Sequence, residues 1–340
     1  MRAGFFKNFM IIGAGSFLSM FLGFLTTPII TRIVDPIDYG QFSIFTMYSN
    51  LAIMILYLGL DQSMVRYFYD NDSFEYRQAL LKRCIKFPVA VTIGASFFIF
   101  LLYKTGIFKF EFDETILLYL CFYTLILVIY RFSLLLIRLQ YKTKLYSLLN
   151  VVQKVAYIIV IFFLLYCTNY GHLMILVLST MLAAILCMVI SVMEENKFWN
   201  FIGCKDSACS ISNKALISYG YPYIISMGIT ALFQSIDTFS LNMYRTYAEV
   251  GIYSSAMTLV HIFNIIQTTF NTLWAPMAIE HYTKDKEDKT FYQKGNQVIT
   301  LVMFFIGISL ILIKDIFAII LGEKYREAAY LLPFLIFNPI

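Results

Sequence analysis

Charge is what this chain has least of. Asp, Glu, Lys and Arg make up 14% of its 340 residues, while hydrophobic residues make up 60%. Soluble domains carry roughly a quarter charged residues. So little polar surface cannot cover a water-facing exterior, which excludes a soluble globular protein and a disordered one alike. Histidine is nearly missing too. His172, His261 and His281 are scattered, and no HExxH, GxSxG or phosphate-cradling loop occurs, so no catalytic constellation, enzyme activity or cofactor is read from the chain. There is no long block of like charges and no basic stripe interleaved with aromatics outside an apolar run, which excludes nucleic acid as a partner. Cys84, Cys121, Cys167 and Cys187 lie in or beside apolar stretches, where a thiol is a small hydrophobe. Cys204 and Cys209 share a polar loop without the convergent N/S ligands that a zinc site needs.

Long uncharged runs are what is present. A helix needs about 20 apolar residues to cross the hydrocarbon core. Runs free of charge extend over Phe9–Thr31, Phe42–Leu60, Phe87–Tyr103, Thr115–Tyr130 (resuming after Arg131 to Ile137), Val155–Met193, Ala215–Ile236, Val250–Ile279 and Gly295–Ile313. Val155–Met193 is long enough for two helices and is cut by the turn signal Asn169-Tyr170-Gly171. Nine full spans are therefore expected. A tenth run, Ala328–Ile340, is too short to cross, so the chain is expected to be part of a longer one. The runs are apolar all round and do not alternate as barrel strands do. The expected fold is all-α and membrane-integral.

With the N-terminus in the cytoplasm, 18 Lys and Arg fall on the cytoplasmic side, among them Lys142, Lys144 and Lys154, and 7 fall outside. That asymmetry is the positive-inside signature. The outer loops are short, leaving no room for an extramembrane catalytic domain.

An internal echo runs through the chain. Asp38-Tyr39-Gly40-Gln41-Phe42-Ser43 opens the second run, and Glu249-Val250-Gly251-Ile252-Tyr253-Ser254 opens the eighth, at an offset of 211. Lys104-Thr105-Gly106-Ile107-Phe108 and Lys314-Asp315-Ile316-Phe317 stand at nearly the same offset. These matches predict two parallel-repeat bundles about a central cavity: an N-terminal six-helix lobe at 1–195, a cytoplasmic linker at 196–214 and an incomplete C-terminal lobe at 215–340.

At these motifs the chain resembles the polysaccharide flippase family, the Wzx-type translocases of the superfamily that also holds the MATE-type multidrug exporters. The resembling residues are Ile33-Val34-Asp35-Pro36-Ile37-Asp38-Tyr39-Gly40-Gln41-Phe42 and Leu58-Gly59-Leu60-Asp61-Gln62-Ser63-Met64-Val65-Arg66-Tyr67. In the second half they are Glu249-Val250-Gly251-Ile252-Tyr253-Ser254-Ser255-Ala256 and Trp274-Ala275-Pro276. The resemblance implies a MATE-like pair of lobes in a bacterial inner membrane. It implies movement of a polyprenyl-pyrophosphate-linked oligosaccharide, an O-antigen, lipopolysaccharide or capsule repeat unit, from the cytoplasmic to the periplasmic leaflet by alternating access. Its implied partners are that substrate, membrane lipid, and the downstream polymerase and chain-length machinery. The alternatives are a MATE-type antiporter of drug cations and, from another class, a membrane glycan polymerase or ligase.

A pyrophosphate cannot cross hydrocarbon uncompensated, and the planar fork of arginine suits it. Arg131 follows a charge-free stretch and shares a helical face with Arg138, with Lys142 close to that line. The group reads either as a cationic stripe in the cavity or as a snorkelling side chain with its neighbours. Asp61 and Arg66 flank the end of the second span as a gate pair or as interface residues. Arg32 and Arg245 border outer span ends. Asp237, a turn after Gln234, reads as a coupling carboxyl or as a salt-bridged cap. His261, Asn264 and Gln267 share roughly one helical face, for sugar hydroxyls or for helix–helix contact.

Overall fold

Helix formation follows hydropathy along the chain, but helix ends follow capping and turn chemistry. The computed structural model of the protein describes residues 2–107, 112–204, 208–260, 274, 289–312 and 314–336. The helices are α1 (Arg2–Ile33), α2 (Pro36–Leu56), α3 (Leu60–Tyr67), α4 (Phe74–Lys104), α5 (Glu114–Leu139), α6 (Thr143–Cys167), α7 (His172–Glu194), α8 (Asn196–Trp199) and α9 (Asn213–Tyr244). There follow α10, described over 247–260, α11 (Lys289–Leu312), α12 (Lys314–Ile320), a 3-10 turn at Glu323–Tyr325 and α13 (Ala328–Leu335). No strand occurs among the described residues.

Among these residues five helices (α4, α5, α6, α7 and α9) are long and apolar enough to cross a bilayer, and the bent pair α2–α3 makes a sixth. The fold is all-α and the protein passes the membrane several times. The turn signal at 169–171 separates α6 from α7 as expected. Several helices start ahead of the uncharged runs, α4 at Phe74 and not Phe87 among them, and two differences bear on the site. The second span is not one rod: α2 and α3 meet at 51°, where Leu58 (φ 53°) and Gly59 (φ 63°) both adopt left-handed backbone. The sixth helix begins at Thr143, not after Lys154. Lys154 therefore lies inside a helix long and apolar enough to cross a bilayer and leaves the count of loop cations, without reversing it.

The described chain divides into two compact units, residues 1–15 with 44–240 and residues 16–43 with 241–340. In the first, Leu60, Met64, Phe68, Tyr76, Leu80, Leu81, Phe132 and Leu136 form a core in which each is at most 2% exposed. α9 comes close at the Gly59 bend. A Cβ on Gly59 would lie 2.1 Å from the carbonyl oxygen of Gly220, and one on Gly220 would meet the Gly59 backbone at 2.9 Å. One turn along, Ser63 Oγ donates to the Leu216 carbonyl at 2.7 Å. The connector after α8 is tied to α4 by cationic and amide side chains. Gln78 donates to the carbonyls of Lys197 and Asn200 at 2.9 and 2.8 Å, Lys82 reaches the Cys204 carbonyl at 3.2 Å, and Arg83 donates to the Ile211 carbonyl.

In the second unit the echoed segments meet. A Cβ on Gly40 would fall 1.8 Å from the Tyr247 carbonyl oxygen, and one on Gly251 would fall 2.2 Å from the Pro36 carbonyl oxygen. The contact is reciprocal, since Pro36 and Tyr247 stand at the same offset of 211 as the two glycines. The first turns of α2 and α10 thus cross with their backbones touching, which only glycine permits. The turn before α13 packs beside them. Tyr325, fully buried, donates its hydroxyl to the Val34 carbonyl at 3.0 Å and sets its ring edge-on to Tyr39. Lys324 pairs with Asp35, and the Gly322 N–H donates to Thr31 Oγ1 at 3.2 Å. Trp274 stacks flat on Phe291 with ring centroids 5.1 Å apart and covers Gly295.

α10 starts with a capping box. The Thr246 N–H and hydroxyl donate to Glu249 Oε2 at 3.0 and 3.1 Å, and the Glu249 N–H returns to Thr246 Oγ1 at 3.4 Å. The Thr246 backbone N–H, then its hydroxyl, hold the Glu249 carboxyl below its ordinary range. A depressed folded-state pKa stabilises above the unfolded value of about 4.3, and the gain is lost as pH falls through the lower folded value. Glu249→Ala is therefore expected to melt below the wild type near pH 7, with the gap closing as the medium is acidified through and below the ordinary carboxylate range. Melting followed by intrinsic fluorescence checks this. A gap independent of pH would remove the capping role.

Candidate functional site

Asp61 occupies the first turn of α3, where a carboxylate is favoured by the free N–H groups of a helix start. The bend at Gly59 turns it into the bundle, and its side chain is fully buried. Across from it stands Arg131, about two turns before α5 ends at Leu139 and roughly 12 Å from that end at 1.5 Å per residue. Arg131 Nη2 donates to Asp61 Oδ2 at 3.0 Å, and the arginine side chain is 40% exposed. Gln62 Nε2 donates to the same carboxylate oxygen at 3.0 Å. The guanidinium also lies 5.6 Å from the ring centroid of Tyr57, the last residue but one before the bend. Asp61 Oδ1 and Arg131 Nε are buried without hydrogen-bond partners. A guanidinium held on one edge by a carboxylate and open on another can take an anionic ligand through its remaining N–H groups.

The rest of the expected stripe is arranged differently. Lys142 lies past the end of α5, and its ammonium pairs with Glu195, which is buried and also accepts from Gln140 Nε2 at 2.9 Å. That cluster ties the α5–α6 turn to the end of α7. Arg138 is exposed near the end of α5. Asp61 and Arg66, read together as a gate pair, do not meet. Arg66 is exposed, pairs with Asp70 at 3.1 Å and lies over the Tyr67 ring, while Asp61 takes Arg131. Arg32 is exposed in the last turn of α1. Arg245 is exposed just past α9 and reaches Glu249 at 3.7 Å. Asp237 is exposed on α9. His261, Asn264 and Gln267 lie outside the described residues.

Sequence reasoning missed Tyr57 as the ring beneath Arg131, because nothing marks the bend that brings it there except the single glycine at 59. It also placed Lys154 in a loop. A signal for Lys154 was present in the spacing of polar residues from Thr143 onward.

Comparison with known proteins gives a family and a fold. Residues 5–281 match the model of a family described as polysaccharide biosynthesis protein. An inward-facing multidrug resistance MATE family transporter of the MOP superfamily is similar with a TM-score of 0.63 at 14% identity, covering 94% of this chain and 78% of that one. A proline-to-alanine mutant of a MATE protein is similar with a TM-score of 0.55 at 13% identity, covering 98% and 80%. At such identities the likeness is one of fold. No curated protein matches the chain.

Proposed function

The chain belongs to the polysaccharide biosynthesis protein family, and we propose that it is a flippase for a polyprenyl-pyrophosphate-linked oligosaccharide. On this reading the protein lies in a bacterial inner membrane with its N-terminus in the cytoplasm. It carries an O-antigen or capsule repeat unit to the periplasmic leaflet without chemistry, as two lobes (1–195 and 215–340) alternate about the substrate. The downstream polymerase and chain-length machinery would receive the product.

The observation that carries the reading is Arg131. Within an all-α membrane bundle it is a half-exposed guanidinium, braced by a fully buried carboxylate and an aromatic ring. An intramembrane charge of this kind is expensive unless it is used. A cation braced in this way suits a diphosphate better than a drug cation. Of the carboxylates named above as site candidates, Asp61 is already engaged by arginine.

Reconstitution tests it. Purified protein in liposomes carrying a fluorescent polyprenyl-pyrophosphate-linked oligosaccharide is expected to expose the label to a membrane-impermeant quencher faster than empty liposomes do. Exposure no faster than in empty liposomes, together with proton-driven uptake of a cationic dye, would replace this reading by drug antiport.

A further inference from the structure

Lys154 stands near the middle of the 25-residue helix α6. At 1.5 Å per residue it lies about 17 Å from the α5–α6 turn, roughly one helical turn deeper than Arg131 measured from that same turn. It is not aimed at lipid. Leu148, Val155, Ile159 and Phe162 make the exposed face of α6. Thr143, Ser147, Asn150, Lys154 and Tyr157 recur every three or four residues along a different face. Thr143 and Ser147 on that line are buried, as is Ile161 one turn beyond Tyr157. The backbone of α1 packs onto the line as well, since a Cβ on Gly15 would fall 2.4 Å from the Ser147 Cβ.

The charge pattern sets Lys154 apart. Arg131 has Asp61 and Lys142 has Glu195, but Lys154 makes no ion pair or hydrogen bond with a described residue. An ammonium at this depth that no described residue pairs is costly to hold in a membrane helix. Snorkelling along a stem of four carbons cannot bring it to either surface from mid-helix.

We propose that Lys154, flanked by Asn150 and Tyr157 on one face of α6, is a second anion subsite for the diphosphate of the head group, further along the crossing than Arg131. The proposal rests on the flippase reading for its substrate. The diphosphate passes from a guanidinium already paired with Asp61 to an ammonium that no described residue pairs, so the cargo itself supplies that counter-ion.

The test is amine labelling of the full chain in phosphatidylcholine nanodiscs. A water-soluble acylating reagent is applied with and without inorganic pyrophosphate, and each lysine is read by peptide mass spectrometry. Lys154 is expected to be acylated, and pyrophosphate is expected to slow this severalfold while leaving the exposed Lys144 unchanged. In the transport assay, Lys154→Gln is expected to lose at least tenfold in rate and Lys154→Arg to retain most of it. A Lys154 that stays unlabelled, or is labelled equally with and without pyrophosphate, overturns the subsite even if lipid-linked oligosaccharide is moved. Protection of Lys154 without movement of that lipid keeps the anion subsite and removes the glycan substrate.

Discussion

Arg131→Ala is expected to lower both transport and stability, and the double variant Asp61→Asn with Arg131→Gln is expected to restore only the stability. The reason is the asymmetry of a buried pair. Asp61 is fully buried, and its Oδ1 already lacks a partner. Removing the guanidinium would leave a carboxylate with only the Gln62 amide to hold it. Breaking a fully buried pair costs roughly 3–5 kcal/mol. Arg131 is 40% exposed, so screening by solvent reduces this to about 2 kcal/mol. In the double variant Asp61→Asn with Arg131→Gln no charge is stranded, and two amides of similar shape can bond each other. Its melting temperature in detergent should return close to that of the wild type. Oligosaccharide movement should remain at least tenfold down, because neither amide replaces a cation facing a diphosphate. A double variant that melts normally and transports normally would reduce the pair to a structural brace. Thermal melting and the liposome assay on the same preparations separate the two effects.

The second large effect is expected at the glycine crossing. In Gly40→Val the new Cβ must avoid a carbonyl oxygen that would stand 1.8 Å away, and in Gly251→Val one 2.2 Å away. Both obstacles are backbone, so no side chain can swing aside. The first turns of α2 and α10 have to separate by more than an ångström. The Tyr325 and Lys324 contacts to Val34 and Asp35, just ahead of α2, would be strained with them. Overpacking of this kind costs about 1–3 kcal/mol, and a forced movement of helix backbone lies at the upper end. Gly94→Ala and Gly228→Ala are the controls, because nothing lies within 4 Å of a Cβ at either position. Replacing a mid-helix glycine by alanine there is expected to gain about 0.5–1 kcal/mol. Melting curves of the four variants should therefore split into two groups of opposite sign. If Gly40→Val melts with Gly94→Ala, the crossing does not hold the two helices together.

The repeat shows how far the linear chain can be read. Matching residues at an offset of 211 marked Gly40 and Gly251 as equivalent. Equivalence is a property of order along the chain, but contact between the two is not. That each glycine faces the residue preceding the other by four positions could only emerge once α2 and α10 were packed. The charges behaved in the same way. A face shared by Arg131 and Arg138 follows from helical spacing alone. Their counter-ions do not, because Asp61 lies 70 positions from Arg131 and Glu195 lies 53 from Lys142.

Lys154 was misplaced for a definite reason. Cutting spans at charged residues assumes that a membrane helix excludes charge all round, whereas backbone hydrogen bonding carries α6 straight through the lysine. The polar spacing from Thr143 to Tyr157 carried the correction, but it has meaning only if that face meets protein and not lipid.

Hydropathy alone determined that this chain crosses a membrane as helices, because the thickness of hydrocarbon is a length that uncharged residues in sequence must match. It also fixed most crossings and the turn between α6 and α7, which depend on neighbours a few residues apart. Packing alone decided which carboxylate meets Arg131 and which residues line the face of α6 that carries Lys154. Those outcomes depend on distances between helices, and a charge in low dielectric is governed by whatever stands within a few ångströms of it, however distant in the chain.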